Sequence, residues 1–138
     1  MEKIKIQDLS IGDWVRVDIY NKPRMVMSIS PSWNDGDGSV FLHGCARPFG
    51  LSVIVPIPIT PEILERNDMR KHEDKNNPHR IVYFSDEISI STFDGVERWS
   101  LSIYGEDGVV ELIKCKVSYI HQLQHALRLA GVEKEIIL

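Results

Sequence analysis

Residues 118–131, Ser-Tyr-Ile-His-Gln-Leu-Gln-His-Ala-Leu-Arg-Leu-Ala-Gly, are the one stretch of this chain with a complete set of helix signals. Ile120, Leu123, Leu127 and Ala130 recur at helical spacing, Ser118 supplies N-cap chemistry and Gly131 a stop. Tyr119 and Ala126 flank the apolar stripe. A single stripe must be covered by a sheet or a second helix, and the segments before it read as strands. The expected class is therefore α+β.

Strand patterns occupy both halves of the chain. Near the start, Leu9 to Asp13 reads as a turn, after which Val15, Val17 and Ile19 alternate with Arg16 and Asp18. Met25, Met27 and Ile29 answer them across Asn21, Lys22 and Pro23, which predicts a hairpin. A Gly-Asp-Trp-Val opening into a short hairpin resembles the start of SH3-like small barrels. Pro31 to Gly38 is turn-rich, a strand is expected from Ser39 to Cys45, and residues 46–50 read as another turn. Leu51 to Ile59 is apolar but contains Pro56 and Pro58, so it is expected at a sheet edge. Thr60, Pro61 and Glu62 then start a short helix through Asn67, with Ile63 and Leu64 inward. The polar run 68–80 reads as a mobile loop. Beyond it, Ile81–Phe84, Glu87–Ser91, Glu97–Tyr104 and Val109–Val117 read as a meander of hairpins with one apolar face. The helix at 118–131 should cover that face, leaving Val132 to Leu138 as an extended tail. The expected organisation is an N-terminal β-lobe (1–59), a short helix with a polar loop (60–80), and a meander plus helix (81–138), as separate lobes or one continuous domain.

Composition narrows the function classes. The net charge is −4, and the acidic excess lies wholly in residues 81–138, where 9 acids face 5 bases. Nucleic-acid binders generally present a basic face, so the overall balance argues against DNA or RNA while leaving a local patch open. No apolar run is long enough to span a membrane, and the first residues lack the apolar core of a signal peptide. Cys45 and Cys115 are the only cysteines and form no C-x-x-C pair. A cytoplasmic protein with reduced thiols, free of membranes, is expected.

Chemistry-bearing residues form only fragments of sites. His121 and His125 are spaced i, i+4, which can present two imidazoles to one metal, but the glutamate of helical metalloprotease motifs is replaced by Gln122. The packing stripe lies elsewhere on the helix, so both histidines are expected at solvent or a lobe interface. His43 and Cys45 would share one face of a strand, the beginning of a nucleophilic pair, although a cysteine between Gly44 and Ala46 is as readily a small buried filler. Cys115, between two lysines, reads as core. Asp35 to Gly38 contains calcium-loop letters in the wrong register, with Trp33 and Gly44 at the first and last ligand positions. No phosphate-cradling glycine motif is present. Trp14, Tyr20 and Trp33 remain: if Val15, Val17 and Ile19 point inward, Trp14 and Tyr20 point outward beside Arg16, an aromatic surface suited to stacking or peptide contact. They could equally cover a seam between lobes.

Three phrases, Ile-Gly-Asp-Trp-Val at 11–15, Pro-Ile-Pro-Ile-Thr-Pro-Glu-Ile-Leu at 56–64 and Tyr-Ile-His-Gln-Leu-Gln at 119–124, together resemble a family of small proteins from Bacteroidetes genomes and their phages or mobile elements. The chain departs from that pattern at Asn67-Asp68-Met69, where Asn-Gly-Phe is usual. The resemblance implies architecture and a bacterial cytoplasmic setting, and it implies no activity, cofactor or catalytic residue.

The resulting expectation is a non-enzymatic, cofactor-free module that binds protein through Trp14, Arg16, Tyr20 and Trp33. Free sheet edges and the apolar Ile136, Ile137 and Leu138 add contact surface and leave a homodimer open. The first alternative is a nucleic-acid-associated small barrel, for which Arg16, Lys22, Arg24 and Arg47 must converge with the aromatics. The second is an enzyme or metal protein using His43 and Cys45, or His121 and His125.

Overall fold

A computed structural model describes residues 4–20, 22–30, 38–73, 75–93, 97–105 and 111–138. The chain divides into two compact units, Met1–Ile57 and Pro58–Leu138. Each carries one five-stranded antiparallel sheet, and the second also carries the principal helix, an α+β arrangement dominated by β structure.

In the first unit the strands are β1 (Trp14–Val17), β2 (Arg24–Ser30), β3 (Ser39–Leu42), β4 (Phe49–Gly50) and β5 (Ile54–Pro56), in the order β4-β3-β2-β1-β5. A 3-10 turn, Leu51–Val53, separates β4 from β5, which returns to pair with β1. β5 lies at the sheet edge, which suits Pro56 at its end, and the described residues form no closed barrel. Val15, Val17, Val26, Val40, Leu42, Leu51 and Ile54 make the core with Ile4 and Leu9.

Alternation fails at two points in this unit. Ile19 is 77% exposed because β1 stops at Val17, where the Tyr20 N–H turns back to the Val17 carbonyl at 2.9 Å. In β2 the inward residue is Val26, and Met27 is exposed. Val26 pairs with Leu42 but Ser28 with Phe41, so Met27 is an extra residue in a β-bulge and the strand changes phase around it. The turn at Leu9–Asp13 is closed by buried Asp13, whose Oδ2 accepts the Ser10 N–H at 2.8 Å.

The second unit begins with α1 (Pro61–Arg66), where the Thr60 hydroxyl accepts the Ile63 N–H at 3.3 Å and Leu64 is buried. Five strands follow: β6 (Arg70–Glu73), β7 (Arg80–Phe84), β8 (Ile88–Phe93), β9 (Trp99–Tyr104) and β10 (Glu111–Val117), in the order β10-β9-β8-β7-β6. Cross-strand register aligns Tyr83, Ile90, Leu101 and Cys115 in one row and Ile88, Ile103 and Ile113 in another, building the apolar face. The turns at Asp94-Gly95 and Glu106–Gly108 lie outside the described residues.

Part of the expected polar loop 68–80 is therefore strand. All four residues of β6 are exposed, so no apolar alternation announces it; main-chain pairing with β7 makes the strand, and its charges discourage further pairing at the edge. Arg70 stands opposite Phe84, with its guanidinium 4.9 Å from the ring centre.

The last helix, α2 (Ile120–Leu129), buries Ile120, Leu123 and Leu127 of the expected stripe together with flanking Ala126, whereas Ala130, the C-cap, is only half-buried. Its N-cap is Tyr119 rather than Ser118, and the capping oxygen comes from inside the helix: Gln122 Oε1 accepts the Ser118 N–H at 2.8 Å and the Tyr119 N–H at 3.2 Å. At the other end Gly131 has φ 76, and the bonds Val132 N–H to Leu127 O and Gly131 N–H to Arg128 O form a Schellman cap. α1 ends the same way, with Asp68 at φ 63 in the left-handed position.

Candidate functional site

Strand pleating divides the first sheet into a core face and an outer face. Trp14 and Met25 are direct cross-strand partners, half-buried on the side away from Val15 and Val17, and Arg16 follows Trp14 on that side. Phe41, 42% exposed, continues the face onto β3, where it pairs with Ser28. The outer surface thus runs Arg16, Trp14, Met25, Phe41, with bulged Met27 49% exposed beside it. Sequence reasoning found Trp14 and Arg16 but missed Met25, Met27 and Phe41. Period-2 counting assigned the two methionines to the core, and only the bulge reverses that reading.

Tyr20 is 56% exposed, on the turn after β1 rather than on the strand. Trp33 lies outside the described residues. The basic residues do not gather around the aromatics. Arg24 is the cross-strand partner of core-facing Val15, and its guanidinium donates to the His43 carbonyl at 3.4 Å. Lys22 and Arg47 are exposed on the connecting segments before β2 and β4 and belong to neither strand.

His43 and Cys45 do not share a strand face. β3 ends at Leu42, and a turn with Gly44 at φ 79 brings the Cys45 N–H to the Leu42 carbonyl at 3.1 Å. His43 is exposed, whereas Cys45 packs against the core of the first unit. A Cβ at Gly44 would stand 2.8 Å from the Arg24 guanidinium, the movable end of that side chain, so the φ of 79 rather than crowding is what calls for glycine here. Cys115 is half-buried on β10, and burial pushes its thiol pKa up, away from nucleophilic use.

His121 is not at solvent: it is 4% exposed, stacked on Tyr119 at 5.9 Å and met edge-on by His125 at 5.9 Å. The buried arc of α2 extends beyond the predicted stripe to include His121 and Gln124, so it spans more than half the helix circumference. Among the described residues no group of three histidines, cysteines or acids is placed to hold a metal ion.

Two features of the second unit were not legible in the sequence. A cleft of about 330 Å³ lies between Ser85–Ile88, at the β7–β8 turn, and Val132–Lys134, beyond α2. At the end of α1, buried Asn67 holds the tail: its Oδ1 accepts the Ile137 N–H at 2.7 Å, and its Nδ2 donates to the Ile137 carbonyl at 2.9 Å. Ile136 is buried, so it is not part of the contact surface expected of the tail.

No helix among the described residues is long and apolar enough to cross a membrane. Comparison with protein-family models, curated proteins and solved structures finds no match.

Proposed function

We propose that the first unit is a protein-binding module whose contact surface is the outer sheet face around Arg16, Trp14, Met25 and Phe41, with Tyr20 on the adjoining turn. The carrying observation is that Phe41 and Met27 remain exposed on a sheet whose core is already complete on the other side. Aromatic and methionine side chains on a small sheet supply large contact area at low cost in conformational entropy, the composition protein interfaces favour. The strand order β4-β3-β2-β1-β5, with a 3-10 turn before β5, supports an SH3-like reading of this unit. A bacterial cytoplasmic setting rests on the family resemblance.

The nucleic-acid reading is the weaker one, because of its four bases only Arg16 lies on the aromatic face. A photo-crosslinking amino acid at position 41 of the full chain distinguishes the two in native lysate. Protein adducts that disappear on Trp14→Ala, in a variant of unchanged fold, are the expected result. Nuclease-sensitive adducts transfer the proposal to nucleic acid, and adducts indifferent to Trp14→Ala remove the surface.

A further inference from the structure

We propose that the end of α1 is a main-chain-reading site for an extended peptide that turns one apolar side chain inward, and that residues 132–138 occupy it in cis as an exchangeable ligand. This is independent of the outer face of the first unit.

Asn67 is 5% exposed, and both ends of its amide engage one residue of the tail, accepting from the N–H of Ile137 and donating to its carbonyl. Its Nδ2 also donates to the Ile63 carbonyl at 2.8 Å, which locks the amide orientation from within the helix. A side-chain amide that satisfies both main-chain groups of one residue imitates a β-bridge and reads extended backbone whatever the side chain. Specificity then falls to the neighbouring position. Ile136 is 5% exposed whereas Ile137 is 64% exposed, the in-and-out alternation of an extended ligand. Site preformation is visible in the cap itself, since Asn67, Asp68 and Met69 are fixed by main-chain bonds to α1 that do not involve the tail.

The segment has the marks of a ligand more than of a structural element. It has no helix or strand of its own, Glu133 and Glu135 are exposed, and it leaves α2 through Gly131, where a Cβ would meet nothing within 4 Å. The occupant to which the site is matched is therefore residues 132–138 of this chain, supplied in cis at low concentration and by a second copy when the local segment is released. Release also removes one wall of the cleft at Ser85–Ile88, so occupancy of the site and the shape of the cleft are coupled.

The test uses the full chain carrying Ile136→Glu, which frees the site, and a synthetic heptapeptide Val-Glu-Lys-Glu-Ile-Ile-Leu, amidated so that no terminal carboxylate contributes. Because the cis segment competes at an effective concentration on the order of millimolar, the peptide should bind Ile136→Glu at least about tenfold more tightly than it binds the unsubstituted chain. It should shift the resonances of residues 65–69 and 85–88, and adding Asn67→Ala should weaken it by roughly tenfold or more, the worth of a lost buried hydrogen-bond pair. Absence of binding, equal binding to both chains, or indifference to Asn67→Ala overturns the proposal. Should Ile136→Glu fail to fold, amide exchange at Ile137 decides: Asn67→Ala is expected to cut its protection about tenfold or more, and unchanged protection is the refuting result.

Discussion

Tyr83 offers the most direct check on the packing of the second unit. Its ring is 1% exposed, 6.4 Å from the Trp99 ring, and its hydroxyl donates to Glu65 Oε1 at 3.0 Å, joining the sheet to α1. Burial, and then the hydrogen bond and negative charge of Glu65, push its pKa from 10.0 to about 12. The folded-state value is the higher one, so the contribution to stability is complete below the unfolded pKa and is lost as pH rises through the folded pKa. Between those values the unfolded chain releases a proton that the folded chain keeps, and stability must fall. The full shift corresponds to about 2–3 kcal/mol at most, and the solvent exposure of Glu65 reduces the expectation to about 1–2 kcal/mol. Tyr83→Phe leaves an exposed carboxylate that water can satisfy, so at neutral pH it should cost only about 0.5–1.5 kcal/mol. Urea unfolding of both proteins from pH 8 to 11.5, followed by tryptophan fluorescence, measures both quantities. The wild-type midpoint should decline more steeply than that of Tyr83→Phe above pH 10. Parallel curves would refute the argument, because they would mean that the phenol titrates alike in the folded and unfolded chains.

Three helix-end substitutions test the capping assignments. Asp68→Gly relieves left-handed strain of about 1–2 kcal/mol while adding roughly 0.5–1 kcal/mol of unfolded-state entropy, so it should raise stability by about 0.5–1 kcal/mol in thermal unfolding. Gln122→Ala removes the acceptor shared by Ser118 and Tyr119 and should destabilise by about 1 kcal/mol, whereas Ser118→Ala, which by sequence alone would be the damaging change, should have the smaller effect.

Strong local periodicity made most of the second unit legible. Trp99, Leu101 and Ile103 alternate with serines, and Thr60-Pro61-Glu62 carries its own N-cap and first-turn preferences, so both signals depend only on residues a few positions apart. The candidate face was half legible. Trp14 and Arg16 could be assigned outward from strand parity, and Phe41, between inward Val40 and Leu42, was open to the same reading, but Met25 and Met27 could not, since a one-residue bulge in β2 reverses parity without leaving a mark in the residue types.

What this sequence by itself determined is the set of elements whose backbone preferences and apolar spacing agree: the meander β7 to β10, both helices, and the proline-bearing edge strand β5. Tertiary structure alone decided the charged strand β6, the burial of His121, and the capture of Ile137 by Asn67, seventy positions away. Those outcomes depend on which backbone edges and side-chain amides meet across the fold, and hydrogen-bonding groups carried by every residue give no local signal of the partner they will find.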